Sequence, residues 1–371
     1  MKQPPSKTMT EVTRLTRSGD LSGATALIRS MLAAAPAGDA VEGAITGLDG
    51  APAAPARQPL AETLRWITSG GMPPPAQGQA QVAPAVDGAR FTLHSHRGPE
   101  GTRDYWLYRP ACAAGSGTAL PLVVMLHGCT QSPEDFAAGT GMNALAEEFG
   151  ALIAYPAQPQ AANMQRCWNW YNPGDQGRDR GAPAVIAGLT RDILQAEAVD
   201  PTRVYIAGLS AGGAAATLVA RAYPDVFAAA GVHSGLPAGA ARDVASAFAA
   251  MRNGAAGQQK AQPMPTIVFH GNADSTVHPS NGTAVVSQSL AGFPALTAQV
   301  TTGKAKGGRA YRRTRHVQAD GRTMIEHWSM DGGGHAWSGG HPSGSFTDPT
   351  GPEASREFLR FFLQHSTPPQ P

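Results

Sequence analysis

The chain has 371 residues, and its 29 Lys and Arg against 27 Asp and Glu give a formal net charge of +2. The basic residues form no cluster that would follow a phosphate backbone or an anionic membrane, so we expect no nucleic-acid partner. No apolar run approaches the roughly 18–20 residues that a membrane-spanning helix needs. The three cysteines are too few for a disulfide scaffold, and their number does not fix the compartment.

Residues 1–89 are predicted to form an N-terminal helical segment followed by an Ala/Pro/Gly-rich linker. Stretches such as "SGGMPPPAQGQAQVAPAVDG" hold too few large apolar side chains to offset their ordering entropy. Residues 20–34 and 60–69 place apolar side chains at helical spacing. We expect these helices to pack on the main body, and the alternative is docking or formation of a homo-oligomer through them. The early segment "TRLTRSGDLSGATALIRSML" is interrupted by charge and does not match a signal peptide.

Residues 90–371 are predicted to form one catalytic domain in which strand-like and helix-like segments alternate. The predicted strands are "RDYWLYRP", "LPLVVMLHG", "GALIAYP", "RVYIAGLS", "FAAAGVHSG", "PTIVFHGNAD" and "TMIEHWSMDGGGH". The predicted helices are "DFAAGTGMNALAEEFG", "APAVIAGLTRDILQAEA", "GGAAATLVARAYP" and "GPEASREFLRFFLQH". This alternation predicts an α/β fold with a mostly parallel central sheet flanked by helices. Residues 236–265 are too few for a large cap domain, so we expect an open, shallow cleft.

Ser210 is the candidate nucleophile, because Gly208-Leu209-Ser210-Ala211-Gly212 fits the pattern G-x-S-x-G. The pentapeptide alone is only moderately specific in a chain with 44 glycines. A strand-like run precedes it and a helix-like run follows it, which is the context that a nucleophile turn requires. The turn also puts Ser210 at the N-terminal end of a helix, whose dipole favours a developing negative charge.

A serine nucleophile needs a base and an orienting carboxylate, which in this fold follow in the order Asp or Glu, then His. Asp274 follows a strong strand prediction, and His335 lies in a glycine-rich loop after the last predicted strand. An oxyanion hole needs two backbone N–H groups. We expect these to be the N–H of Ala211, after the nucleophile, and the N–H of Cys129, in the loop after "LPLVVMLHG".

Other polar residues near these motifs are weighed against the triad. His127 is expected to brace the oxyanion loop, and His270 is expected to pack under the sheet edge. His233 either lines the site or is a satisfied structural histidine. Asp331 is an alternative acid that precedes His335 by only four residues. No cluster has metal-ligand spacing and no glycine-rich phosphate loop precedes a helix, so we expect neither a metal nor a cofactor.

Five ordered segments together resemble the esterases of the polyhydroxybutyrate (PHB) depolymerase family, α/β-hydrolases related to feruloyl and acetylxylan esterases. These segments are "LHGCTQSPEDFAAGTGMNALAEEFGALIAYPAQ", "RCWNWYNP", "VYIAGLSAGG", "HGNADSTVHP" and "GGHAWSGG". The resemblance covers roughly Phe91 to Leu363. It implies that Ser210 is the nucleophile, Asp274 the acid and His335 the base. It also implies that Cys129 lies in the oxyanion loop and is bridged to Cys167.

The resemblance leaves the location of the protein open. Family members are typically extracellular, and secreted depolymerases that attack crystalline polymer usually carry a signal peptide, a linker and a polymer-binding domain. The sequence departs from that pattern, so neither secretion nor adsorption to solid polymer is predicted. An intracellular location is equally compatible with the residues.

The substrate side of the site is predicted from aromatic residues near the triad. Trp168, Trp170 and Trp337 could form an apolar channel for a short acyl chain or stack on a ring. We expect Trp337 and at least one of Trp168 and Trp170 to contact substrate, with His233 as a further candidate.

Three hypotheses for the function follow. The first is a serine ester hydrolase that cleaves short-chain 3-hydroxyacid polyesters or oligomers. The second keeps the chemistry but replaces the substrate with feruloyl or acetyl esters of plant polysaccharide, or with general short-chain esters. The third is a binding or scaffold protein on a hydrolase fold, which the intact order of Ser210, Asp274 and His335 disfavours.

Overall fold

The computed structural model describes residues 86–113, 117–255 and 263–368. The predicted helices at residues 20–34 and 60–69 and the linker lie outside these ranges. The described residues form a ten-stranded sheet in the order β1-β2-β4-β3-β5-β6-β7-β10-β9-β8. Its strands are β1 (Arg90–Gly98), β2 (Gly101–Arg109), β3 (Leu120–Leu126), β4 (Leu152–Pro156), β5 (Val199–Leu209), β6 (Ala229–His233), β7 (Thr266–Gly271), β8 (Thr297–Lys304), β9 (Ala310–Val317) and β10 (Thr323–Met330).

The centre of this sheet is parallel and both of its edges are antiparallel. Strands β4, β3, β5, β6, β7 and β10 run parallel to one another. Hairpin β1–β2 pairs antiparallel with β4 at one edge, and hairpin β8–β9 pairs antiparallel with β10 at the other. A separate two-stranded ladder joins β11 (Trp337–Ser338) to β12 (Thr347–Asp348). Parallel strands need helical connections, which cover both sheet faces.

Seven α-helices are found in the described ranges. They are α1 (Pro133–Thr140), α2 (Met142–Phe149), α3 (Gly181–Ala196), α4 (Ala211–Ala222), α5 (Val244–Asn253), α6 (Ser280–Leu290) and α7 (Ala354–Phe362). None of these helices is long and apolar enough to cross a membrane. Helix α5 is the one helix in the described part of the connection between β6 and β7.

Alternate side chains of the central strands divide the core into two layers. Val204 and Ile206 of β5 pack with helices α3 and α4, whereas Tyr205 and Ala207 pack with α1, α2 and α7. Helix α7 alone buries four large side chains on the second face: Phe358, Leu359, Phe361 and Phe362. A face of such residues, buried at roughly 1.5–3 kcal/mol per side chain, holds this final helix on the sheet.

The structure confirms the predicted α/β-hydrolase fold with a mostly parallel sheet and helices on both faces. It also differs from the sequence prediction in several elements. The segment predicted as one helix before β4 is two helices, because Gly141 at φ 61° ends α1 in a left-handed conformation. Strands β1, β8, β9, β11 and β12 and helices α5 and α6 were not predicted.

Candidate active site

Ser210 lies in a sharp turn between strand β5 and helix α4. Its backbone has φ 58° and ψ −120°, a conformation that residues other than glycine rarely adopt and that must be compensated by the surroundings. The N–H of Ser210 donates a 2.8 Å hydrogen bond to the carbonyl oxygen of His233 at the end of β6. This bond holds the strained turn against the neighbouring strand.

The two glycines of the G-x-S-x-G segment are required by packing. A Cβ on Gly208 would clash with the carbonyl group of Gly212, and a Cβ on Gly212 would clash with the carbonyl oxygens of Leu126 and His127. The turn therefore packs directly on the end of strand β3. This close approach brings the N-terminus of α4 next to the loop that begins at His127.

Asp274 and His335 lie on the loops that follow β7 and β10. The Nδ1 atom of His335 lies 2.8 Å from Oδ2 of Asp274, and the carboxyl group is fully buried. The second carboxyl oxygen, Oδ1, accepts the backbone N–H groups of Thr276 at 2.9 Å and Val277 at 2.8 Å. Asp331, the alternative acid, instead accepts a 3.1 Å hydrogen bond from the side chain of Asn272.

The charge of Asp274 determines which nitrogen of His335 carries the proton. Burial acts to raise the pKa of Asp274, but the charge on His335 and hydrogen bonds from His270 and His335 outweigh it and hold that pKa below its usual range. An ionised Asp274 fixes the proton of His335 on Nδ1 and leaves Nε2 free to exchange a proton. Within the described ranges, Nε2 of His335 makes no hydrogen bond, so the contact with Ser210 that a triad needs is not formed here.

Residues 127–131, which follow β3, are named the oxyanion loop. The N–H of Gly128 donates a 2.9 Å hydrogen bond to the side-chain oxygen of Gln131. In contrast, neither the N–H of Cys129 nor that of Ala211 donates to any residue in the part of the chain that the structure describes. Two unpaired backbone donors on adjacent segments are what an oxyanion hole requires.

The side chain of His127, the first residue of the oxyanion loop, fixes the conformation of this loop. The N–H of Gln158 donates to Nε2 of His127 at 3.1 Å, so the ring proton lies on Nδ1 and donates to the carbonyl oxygen of Gly128 at 2.8 Å. Burial lowers the pKa of His127 to about 4, although its bond to Gly128 opposes the shift. The ring is therefore neutral near pH 7 and acts as a brace.

The loop that follows β4 is bonded to the oxyanion loop at three points. Cys129 and Cys167 form a disulfide with a 2.06 Å S–S bond. The N–H of Thr130 donates to the carbonyl oxygen of Gln165 at 2.6 Å. The indole N–H of Trp168 donates to the carbonyl oxygen of His127. These contacts fix the position of the Cys129 N–H.

The tryptophan rings that were expected to contact substrate are buried in this structure. Trp168 and Trp337 are 0% and 1% exposed, and Trp170 is 6% exposed. Trp168 packs beneath the oxyanion loop, and Trp337 packs against Phe136 and donates its indole N–H to Ser355. The indole N–H groups of Trp168 and Trp337 are satisfied inside the core, so these two rings support the loops from within rather than line a channel.

His233 is likewise a buried structural residue and not a substrate contact. It is 0% exposed, and its Nε2 atom accepts the N–H of Ser338 at 2.9 Å. Burial holds its pKa well below the usual value. Its ring stacks on Trp337 with centroids 5.0 Å apart, which joins the Ser210 turn to the loop after His335.

Two exposed apolar side chains flank the oxyanion loop and were missed by the sequence reasoning. Met164, on the loop tied by the disulfide, is 86% exposed, and Phe346 is 46% exposed. The loop of Phe346 is joined to the oxyanion loop because Gln131 donates to the carbonyl oxygen of Ser345 at 3.1 Å. Phe346 also has φ 52°, an uncommon conformation for a bulky residue. A lone apolar residue in each polar loop was the available signal.

The strand–turn–helix around Ser210 and the loops that carry Asp274 and His335 define an α/β-hydrolase. The family model described as esterase PHB depolymerase matches residues 103–312. The chain belongs to this family, as the sequence resemblance predicted.

Similar proteins fall within the same group of esterases. The chain is 32% identical to poly(3-hydroxyalkanoate) depolymerase C of Paucimonas lemoignei over 237 residues, which is 60% of this chain and 56% of that protein. It is 32% identical to feruloyl esterase B of Thermothelomyces thermophilus over 180 residues, 43% of this chain and 60% of that protein. The chain thus spans little more than half the length of these curated relatives. The solved acetyl xylan esterase from Aspergillus awamori has the same fold, with a TM-score of 0.57 and 18% identity over 74% of this chain and 99% of that one.

Proposed function

We propose that this chain is a carboxylic ester hydrolase in which Ser210, His335 and Asp274 form a catalytic triad. The observation that carries the proposal is the 2.8 Å contact between His335 Nδ1 and the buried Asp274 carboxylate. Both residues follow strands that end at the same sheet edge as β5, after which Ser210 is held in a strained strand-to-helix turn. Family membership supports the same chemistry, since the family is named for its esterases.

Each residue has a defined step in this mechanism. The Ser210 hydroxyl attacks the ester carbonyl carbon while Nε2 of His335 takes its proton. The N–H groups of Cys129 and Ala211 bind the oxyanion of the tetrahedral intermediate. When the intermediate collapses, His335 gives the proton to the leaving alcohol and an acyl-Ser210 ester remains. Water, activated by His335, then releases the acid.

The proposed substrates are short-chain 3-hydroxyacid polyesters or their oligomers. Met164 and Phe346 offer exposed apolar surface on the two loops that are hydrogen-bonded to the oxyanion loop, which suits the aliphatic backbone of such an ester. The one described helix between β6 and β7, α5, has ten residues. A single short helix in the described part of this connection supports access by a chain longer than one ester unit.

The triad is tested with Ser210→Ala, assayed for hydrolysis of p-nitrophenyl butyrate. We expect kcat/KM to fall by about four to six orders of magnitude, because the nucleophile is lost while binding remains. Ser287→Ala, an exposed serine on α6, is the matched control and should behave like the unsubstituted protein. Turnover by Ser210→Ala within tenfold of the unsubstituted rate would refute the proposed triad.

The substrate class is tested separately with three esters at equal ester concentration: hydroxybutyrate oligomers, methyl ferulate and acetylated xylan. We expect the highest kcat/KM on the oligomers. Preference for ferulate or acetyl esters would keep the mechanism and replace the substrate, as in the relatives named feruloyl esterase B and acetylxylan esterase A.

A further inference from the structure

The side chain of His270 lies beneath the candidate acid. His270 is on strand β7, four residues before Asp274, and is 2% exposed. Its Nε2 atom lies 2.8 Å from the carbonyl oxygen of Val277 and 3.4 Å from Oδ2 of Asp274. Its Nδ1 atom is buried and has no hydrogen-bond partner in the part of the chain that the structure describes.

This geometry fixes the tautomer of His270. A carbonyl oxygen can only accept, so Nε2 must carry the proton, and the unpartnered Nδ1 is the bare nitrogen. One N–H is thus directed at the oxygen of Val277, with the Asp274 carboxylate as a second, longer contact. The carboxylate of Asp274 and the carbonyl oxygen of Val277 belong to the first and last residues of the turn at 274–277, so His270 contacts both ends of this turn.

We propose that His270 is a positioning residue that clamps this acid turn through its Nε2 proton. The Asp274 carboxylate then has a donor at every side. Oδ1 receives two backbone N–H groups, from Thr276 and Val277, and Oδ2 faces both His335 and His270. Three hydrogen bonds and the 3.4 Å contact with His270 restrict the carboxylate to one orientation, and that orientation directs His335.

Helix α6 contributes to the same clamp. A Cβ on Gly282 would clash with Nδ1 and Cβ of His270, so α6 packs directly against the ring. Because the ring cannot move toward α6, its Nε2 proton stays over the acid turn. The proposed role therefore depends on a histidine-shaped side chain as well as on a donor.

The charged and titratable groups around His270 are few. Asp274 and His335 lie on the active-site loops, His233 faces it from β6 and His327 from β10. Burial holds the pKa of His233 well below its usual value and lowers the pKa of His327 to about 4. Both are neutral near pH 7, so the Asp274 carboxylate carries the local charge.

This inference rests on the proposed function, because it assigns His270 to the acid of that triad. Without the N–H of His270, the negative charge of the Asp274 carboxylate is neutralised less by other donors. It then interacts more strongly with His335 and favours the protonated imidazole. Protonated His335 cannot act as a base, so the acidic limb of kcat/KM should move to higher pH. A purely structural role would change the amount of folded enzyme and leave the limb in place.

The experiment compares three variants by the pH dependence of p-nitrophenyl butyrate hydrolysis, with rates per site titrated by a fluorophosphonate. His270→Gln keeps an amide N–H near the position of Nε2, whereas His270→Asn places its amide near Nδ1 and His270→Phe has no donor. We expect His270→Gln to keep the acidic limb. The other two should lower kcat roughly 10- to 100-fold, as small misplacements of catalytic groups do, and move the limb to higher pH.

The matched control is His365→Phe, which removes another buried histidine, on the segment after α7. This variant should have the same acidic limb of kcat/KM and the same rate per active site as the unsubstituted protein. If His270→Asn and His270→Phe also keep both, or if His270→Gln shifts as far as they do, the clamp is wrong. If His270→Phe does not fold, the contrast between Gln and Asn decides. Ser210→Ala in the same series separates the two proposals, because activity in that variant would overturn the triad itself.

Discussion

The indole N–H of Trp168 donates a 3.0 Å hydrogen bond to the carbonyl oxygen of His127. This bond joins the loop after β4 to the oxyanion loop after β3, and Trp168 directly follows Cys167, which is bridged to Cys129. A buried indole and a covalent bridge thus act on the same short segment. The Cys129 N–H is therefore positioned by the core rather than by its own partly exposed loop.

Replacing Trp168 with Phe should lower activity through the oxyanion loop. The variant keeps most of the ring volume but leaves the His127 carbonyl without its donor, which costs about 1–3 kcal/mol of stability. We expect kcat for p-nitrophenyl butyrate to fall roughly tenfold with little change in KM, since the oxyanion is stabilised only in the transition state. Trp106→Phe, a half-buried tryptophan on β2, is the control, and an equal loss of kcat there would contradict this account.

Removing the disulfide should weaken both stability and activity. The bridge closes a loop with a sequence separation of 38 residues, for which chain entropy predicts about 3–4 kcal/mol of stabilisation. We expect the double variant Cys129→Ser/Cys167→Ser to unfold at a lower urea concentration, with a reduced kcat. Cys112→Ser, which changes the exposed free thiol, should do neither. Mass spectrometry of the unreduced protein that finds Cys129 and Cys167 as free thiols would contradict the bridge.

The buried carboxylate of Glu326 should be a major contributor to stability. Its side chain is 0% exposed and receives Arg313, Arg360 and the indole N–H of Trp328. Glu326→Gln leaves two arginines without their anion, and breaking a buried pair costs about 3–5 kcal/mol. Glu148→Gln removes an exposed pair with Arg356, which solvent screens, and should cost far less stability than Glu326→Gln. Urea unfolding of both variants measures the contrast, and equal losses would contradict it.

Stability should fall as the pH is lowered from 7 toward 4.5. Burial lowers the pKa of His127 and of His365 from 6.5 to about 4. Below pH 6.5 the unfolded chain binds protons at these positions while the folded chain does not, so the free energy of unfolding decreases. Urea unfolding at several pH values tests this. His365→Phe should flatten the slope, and a free energy that stays constant or rises toward pH 4.5 would contradict the assignment.

Much of this fold follows from the sequence because its central strands are short apolar runs. Strand β3 is buried at every residue, which makes "LPLVVML" recognisable without its neighbours. Strand β8, "TAQVTTGK", is almost wholly exposed and shows no apolar alternation, so pairing with β9 alone makes it a strand. Helix α6 begins "SNGT", which favours a turn, and becomes helical because Val285 and Val286 pack on the sheet.

The candidate site was predictable in its order but not in its lining. Ser210, Asp274 and His335 each follow a strand whose carboxyl end lies at the same sheet edge, and that order can be read from the chain. The burial of Trp168 and Trp337 could not be predicted, because the sequence around a tryptophan does not distinguish a core position from a position in a cleft. The clamp from His270 also depends on the turn at residues 274–277, which no periodicity specifies.

The most direct measurement of the central claim is the site of covalent labelling by a fluorophosphonate. Intact mass and peptide mapping after reaction should find one adduct, on Ser210, that is absent in Ser210→Ala. Labelling should be much slower in His335→Ala, because the serine lacks its base. An unlabelled protein, or an adduct on any other residue with Ser210 unmodified, would contradict the account of Ser210 as the nucleophile.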